Sequence, residues 1–475
     1  MAATKTVTNV ALYTIGEIIP RVLSFLLLPV LTKYLSTSDY GISSYTNTVV
    51  TFLYVLTTLS INTYALRNYY KVPTVAEKKA LLGNIFVFLS GWGFVMLCIE
   101  ALLLPVLLTA FSVQVPFYPY FLLALIINFF DVASVIPLIA YRVHEDAKGF
   151  VLLSVGRTFL QYIFILVLVA YYKMGLLGSY LGRLGACLPF AIAYLAVIKS
   201  RGKFNFNFSQ IKEGLRFSLP LLPGALSYLV ISMFDRVILE RYVSLNELGL
   251  YSVASTLALT LNIVIQGLYR SFEQKIFREH GSAAYDKLVD TLYKVYITAL
   301  FIPGFLLILF VKQVLLFFTS PQYYGANIFV VYLVVAVIIS GINTFYGTLL
   351  IADNRRKVVT YSSFISAFIS FIANVLLIKY YGVIGACVAS ILSFLIVYVF
   401  YFIKVRLHKG YLLQQTVFVA LFFLTSYLIP SNLSLVIEIL IKLGLLALFL
   451  VLVMATMQIK IASLKASLDG RESTG

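Results

Sequence analysis

Charge is scarce in this chain: only 12% of its 475 residues are Asp, Glu, Lys or Arg, against 61% that are hydrophobic. A soluble domain carries about 25% charge, so a soluble globular class is excluded. Cysteine is scarce too. Cys98, Cys187 and Cys387 all fall in apolar segments, which leaves neither a disulfide framework nor a zinc-ligand spacing. His144, His280 and His408 lie in short connecting stretches, which argues against a histidine-based active site. No GxxxxGK[ST] segment occurs, so an ATP-binding phosphate loop is excluded. The alternating pattern of a membrane barrel is also missing.

What is present is a series of apolar stretches, such as 163–170 and 330–339, each inside a longer hydrophobic segment. Segments of about 20 apolar residues cross a bilayer as helix, the one open structure that satisfies its own backbone there. The expected class is therefore an all-α polytopic membrane protein of about fourteen transmembrane helices. Spans are expected near 10–31, 45–66, 82–106, 118–140, 150–171, 176–198, 217–239, 249–271, 291–311, 323–351, 359–378, 382–403, 411–429 and 435–457. The first is long and proline-bearing with no small-residue cleavage site after it, so it is expected to be retained. The tenth is overlong, and Pro321 or Asn343 marks an expected break or tilt.

Positive charge orients the spans. With the N-terminus inside, the inner loops and tails hold 25 of the 36 basic residues, the outer loops 5, and the spans the remaining 6. Short basic loops resist translocation, so the N- and C-termini are expected in the cytoplasm. Most of the net charge of +17 then orients helices and meets anionic lipid. With no soluble domain to carry it, a nucleic-acid role drops out.

The chain also repeats itself. TKYLSTSDYGISSY at Thr32 to Tyr45 returns as ERYVSLNELGLYSV at Glu240 to Val253, at a constant offset of 208. Each block follows a span, the first and the seventh, so the repeat unit is six helices. An even unit re-enters from the same side, which makes the copies parallel. A weaker echo pairs Gly175-Leu-Leu-Gly178 with Gly382-Val-Ile-Gly385, each shortly after a Tyr-Tyr pair. The expected domains are a six-helix lobe at 1–198, a cytoplasmic linker at 199–216, a second lobe at 217–409, and two appended helices with a tail at 410–475. The linker interleaves Phe with basic residues, which fits either the inner membrane surface or a plain connection.

The YLSxxxYG-like block, the block Asp235–Ser252 and the two six-helix lobes resemble the polysaccharide-type lipid-linked oligosaccharide flippases. These share a superfamily with the multidrug and toxin extrusion (MATE) transporters and the lipid II flippases. The resemblance covers essentially the whole chain, on loose motifs. It implies a V-shaped pair of lobes around a central cavity that opens alternately to either side, in a bacterial plasma membrane.

An arginine at a helix centre costs roughly 2.5–3.5 kcal/mol, so it normally faces a cavity or a partner. Arg21, Arg157, Arg183 and Arg236 are the candidates for contacting a diphosphate. Arg21 has Glu17 one turn away on the same face, which fits a neutral intrahelical pair as well as a substrate site. Arg157 has Gln161 one turn on, and Asp131 of the fourth span is its expected partner. Arg183 has no acid within a turn and is expected in the cavity. Asp235 and Arg236 point about 100° apart and are not expected to pair with each other. Lys294 and Lys442 are expected to snorkel from helix ends. Glu17, Asp131 and Asp235 are candidates for coupling to protons or sodium, with no other cofactor expected. Glu100 is a lone carboxylate, either inert and protonated or titrating in transport. Asn62, Tyr64, Asn128, Gln161, Asn262 and Gln266 are candidate sugar contacts, and each also suits helix–helix hydrogen bonding. Asn343 and Asn374 share that ambiguity.

A diphosphate bears about two charges and matches the guanidinium fork. The expected function is therefore a flippase moving an undecaprenyl-diphosphate-linked oligosaccharide from inner to outer leaflet, for cell-surface polysaccharide. The resemblance to the lipid II flippases implies that the polyprenyl tail stays in lipid at the gap between the lobes, along helices thirteen and fourteen. Pro20, Pro29, Pro220 and Pro223 are expected kink sites. Membrane lipids, and the polymerase and glycosyltransferases of the same pathway, are the expected partners. The rivals are a MATE-type exporter of small organic cations, which needs a net-acidic cavity, and a membrane sugar polymerase. The latter is disfavoured by short outer loops, so the chain is not expected to be an enzyme.

Overall fold

The computed structural model describes residues 2–405, 410–428 and 435–457. Helices follow one another as α1 (Ala2–Tyr34), α2 (Thr37–Thr58), α3 (Ile61–Tyr69), α4 (Val75–Ala110), α5 (Leu122–Val143), α6 (Ala147–Ile165), α7 (Gly175–Arg201), α8 (Phe208–Ser218) and α9 (Leu222–Tyr242). Then come α10 (Leu245–Leu259), α11 (Leu261–Glu279), α12 (Tyr285–Leu309), α13 (Val311–Phe318), α14 (Asn327–Ala352), α15 (Arg356–Lys404), α16 (Gly410–Leu428) and α17 (Leu435–Met457). No strand occurs among the described residues. Ten described helices are long and apolar enough to cross a membrane, eleven if α2 and α3 form one span bent by 46°. Every expected span coincides with helix, and the chain is an all-α multi-pass membrane protein.

Several boundaries differ from expectation for local reasons. The spans expected at 359–378 and 382–403 are one element, α15, interrupted where Gly382 takes a φ of 55°. Gly175 has the same φ of 55°, so the weak glycine echo is one left-handed turn made twice, a conformation other residues adopt only at a cost. Residues Pro321–Ala326 form a separate turn before α14, which then runs unbroken through Asn343. Pro220 and Pro223 sit at the junction of α8 and α9, where a short 3-10 turn interrupts the continuous span Phe208–Tyr242. Pro20 and Pro29 do lie inside α1.

The chain divides into two compact units. The first comprises Met1–Val253, Phe318–Tyr323 and Ala367–Ala389. Within it α6 packs on α1 and α7, α5 on α4 and α7, and α2 on α9. The second comprises Ala254–Phe317, Tyr324–Ser366 and Ser390–Gly475. There α16 and α17, which lie outside both sequence copies, pack on α12. Gln415 of α16 donates to Tyr293 and Tyr346 and accepts from Tyr398. That buried amide hub ties α16 to three other helices, so the two extra helices are integrated with the unit they follow.

The long repeat has a structural purpose within the first unit. Ser36 and Asp39 exchange hydrogen bonds as a capping box at the start of α2, and Ser244 and Glu247 do the same at the start of α10. Each box satisfies N–H groups that a helix start leaves free. The two first turns lie against each other: a Cβ at Gly41 would strike the Leu245 carbonyl, and one at Gly249 would strike the Thr37 carbonyl. Thr37 Oγ1 donates to Asn246 Oδ1 at 2.9 Å across the same seam. Two copies of one sequence thus meet at one close backbone crossing.

Candidate functional site

The helices of the first unit enclose a cavity of about 450 Å3. Its wall takes Asn47, Thr51 and Tyr54 from α2, Asn128, Asp131 and Ser134 from α5, and Tyr180 and Arg183 from α7. On α2 the three polar residues recur at spacings of four and three, which places them on one helix face. A polar stripe of this kind on a membrane helix needs partners or water.

Arg157 and Arg183 stand beside this cavity in opposite states. Arg157 reaches from α6 to the Asp131 carboxylate, its expected partner, and also donates to Tyr194 OH at 3.3 Å and to Cys187 Sγ at 3.3 Å. Its side chain is 16% exposed, that of Asp131 43%. The pair joins three helices and is electrically closed. Among the described residues Arg183 has no carboxylate partner. Its Nη1 donates to Asn47 Oδ1 at 3.1 Å, its guanidinium lies 5.8 Å from the Tyr180 ring, and its buried Nε has no hydrogen-bond partner. Among the described residues, Arg157, Arg183 and Asp131 together leave one uncompensated positive charge beside the cavity.

The remaining candidates scatter. Arg236 pairs with its neighbour Asp235 at 3.0 Å, contrary to the expectation from helix angles. The long guanidinium arm curls back, because both residues are buried and a charge left unpaired there is expensive. Tyr251 also donates to Asp235 and offers its ring to Arg236. The side chains of Glu17 and Arg21 lie outside the described residues. Asn128 lines the cavity, whereas Tyr64 is buried in an apolar cluster with Ile61, Leu81 and Ile211. Asn62 is exposed, Gln161 is half-buried, and Asn262 and Gln266 are half-buried on α11 in the second unit. Asn343 donates to the Phe394 carbonyl at 2.8 Å, and Asn374 to the Ser370 carbonyl at 2.8 Å, so both tie helix backbone. Lys294 pairs with Asp290 at 2.7 Å. Lys442 does not snorkel: it is 2% exposed, 2.6 Å from Glu438 and 2.7 Å from Gln313 Oε1. A full set of partners makes the buried ammonium tolerable where it stands. Among the described residues no His, Cys, Asp and Glu group is arranged to hold a metal ion.

Comparisons with known proteins give the family and the fold. A family described as polysaccharide biosynthesis protein matches residues 6–270, more than half of the chain. The chain belongs to that family. It is similar to Lsg locus putative protein 1 of Haemophilus influenzae, 22% identical over 406 residues that cover 80% of this chain and 95% of the relative. Its fold is similar to that of the lipid II flippase MurJ in an inward closed conformation, with a TM-score of 0.74 and 15% identity over 94% of this chain and all of that one. An inward-facing MATE family multidrug resistance transporter follows at a TM-score of 0.61, 12% identity, and 87% and 99% coverage. The chain is therefore a polysaccharide biosynthesis family member whose fold is shared with the lipid II flippase and MATE transporter structures.

Sequence reasoning singled out Arg183, Asn128 and Asp131 but passed over Asn47, Thr51 and Tyr54. Their signal is present in SYTNTVVTFLY at Ser44 to Tyr54, where polar residues recur on one face of a span.

Proposed function

We propose that this protein flips an undecaprenyl-diphosphate-linked oligosaccharide from the inner to the outer leaflet of the bacterial plasma membrane by alternating access. The observation that carries the reading is Arg183: a guanidinium on a cavity wall that no carboxylate among the described residues neutralises. Guanidinium stays charged wherever it is placed, and its free Nε and half-used fork suit a diphosphate oxygen pair. Asn47, Asn128, Thr51 and Tyr54 supply hydroxyl and amide partners of the kind a sugar needs. The polyprenyl tail remains in lipid beside α16 and α17, and the termini face the cytoplasm, as the basic loops dictate. A MATE-type exporter of organic cations is the weaker reading, since the charge on this wall repels such a cargo.

Depleting the protein and fractionating lipid-linked sugars tests the proposal. The expected result is accumulation of an uncleaved oligosaccharide diphosphate lipid on the inner leaflet. Unchanged lipids with altered efflux of cationic dyes would overturn it in favour of the exporter.

A further inference from the structure

We propose that Glu100 is a proton-binding site within the membrane, and that the break after α2 carries its protonation state to the Asn47–Arg183 contact. Glu100 lies on α4, 7% exposed. Among the described residues its hydrogen-bonding neighbour is Thr57, whose Oγ1 stands 3.5 Å from Oε1. Among the described residues no titratable side chain on the elements packed against α4 reaches it. Tyr54 faces Asp131 and Arg157, Tyr64 faces Glu213, and Tyr69 faces His144. Asp131 is held by Arg157, and Arg183 by Asn47. A carboxylate charge without counter-charge in hydrocarbon is costly, and binding a proton removes that cost.

Thr57 makes the site more than an isolated acid. Its hydroxyl donates to the Leu53 carbonyl at 2.8 Å, in the last turn of α2. Directly beyond, Leu59 and Ser60 take positive φ values of 51° and 53°, and the helix axis bends by 46°. Neither is a glycine, so the surroundings must hold this bend. A hydroxyl has a single proton. While Glu100 is protonated, Thr57 keeps its bond to Leu53. Once Glu100 ionises, its carboxylate competes as a stronger, acceptor-only group for that same proton. The Leu53 carbonyl then loses its second donor in the turn next to the bend, and with it the local distortion that such a hydroxyl bond imposes on a helix. The upper part of α2 carries Asn47, Thr51 and Tyr54 into the cavity, so a change in the bend repositions the residue that holds Arg183.

Proton binding at Glu100 stands independently of the cargo. Its coupling to head-group movement rests on the flippase reading above. Infrared titration of the full-length protein in liposomes reads the first part without any cargo. The expected result is a carboxylic-acid carbonyl band that shifts in D2O, fades as pH rises, and is lost in Glu100→Gln. Thr57→Val should keep the band and move its titration midpoint, a result available even if Glu100→Gln fails to fold. An unchanged band in Glu100→Gln, or an unmoved midpoint in Thr57→Val, overturns the proposal. For the coupling, lipid-linked oligosaccharide flipping is measured with and without an imposed proton gradient. Loss of gradient stimulation in Glu100→Gln supports it, and full stimulation refutes it even where the band behaves as expected.

Discussion

Arg157 and Arg183 sit on adjacent helices, each buried to a similar depth in sequence, and a hydropathy plot does not tell them apart. Their surroundings do. Arg157 is closed on all sides by Asp131, Tyr194 and Cys187, whereas Arg183 has one amide and a ring. A closed ion pair contributes mainly to holding helices together, because each charge has already spent its field on the other. An open cation keeps its field for something that arrives from outside. The partners of a membrane arginine, more than its depth, therefore indicate its purpose.

The comparison is broken most directly by truncating the open arginine. Removing one partner of a desolvated charged contact typically costs about 2–5 kcal/mol, or roughly 30-fold and upward in affinity. Arg183→Ala is expected to lower flipping by about that factor with little change in thermal stability. Arg183→Lys keeps the charge but not the fork, so an intermediate rate is expected. A normal rate for Arg183→Ala, measured in reconstituted vesicles at matched expression, would remove this residue as a head-group ligand.

The closed arginine should answer in the other currency. Arg157→Ala leaves Asp131 without its cation, and breaking a buried pair costs about 3–5 kcal/mol. The lower end is expected, since the Asp131 side chain is 43% exposed and partly screened by solvent. Thermal unfolding in detergent should therefore show a large loss for Arg157→Ala and a partial recovery on adding Asp131→Asn. If the double variant is no more stable than the single one, the pair is not the unit described here.

How much of this was open to sequence reasoning depends on the kind of force involved. The helices follow from hydropathy, which is local and additive, and the repeat from matching its two sequence blocks. The Arg157–Asp131 pair was legible because each lies in the inner half of its span. Arg236–Asp235 was not, since helix angles describe Cβ directions and ignore a long arm that folds back. The bend at Leu59–Ser60 carries neither glycine nor proline, so no residue type announced it. The Gln415 hub joins residues far apart in sequence, and only packing reveals that α16 is bound to its unit. Gly41 and Gly249 were visible as a repeat, while their reason, a backbone crossing too tight for a methyl, is tertiary.

The smallest expected effect concerns a third arginine, Arg201, paired with Asp146 at the end of a span. Asp146 caps α6 by accepting from the Gly149 N–H at 2.9 Å, and Arg201 also stacks 4.5 Å from the Tyr141 ring. The Gly149 N–H, and after it the Arg201 guanidinium, hold the Asp146 carboxyl below its ordinary value. The stabilisation is thus fully present above the unfolded value near pH ~3.9 and is lost as pH falls through the lower folded one. Asp146→Asn retains a good capping acceptor and loses only the ion pair, which at 25% and 33% side-chain exposure is worth about 0.5 kcal/mol. Asp146→Ala loses both and should cost about 1 kcal/mol. Melting curves at neutral pH should rank wild type, Asn and Ala in that order, with flipping unaffected. A loss as large as that of Arg157→Ala would mean that burial matters less than pairing, and the contrast between the pair beside the cavity and the pair at the end of a span would fail.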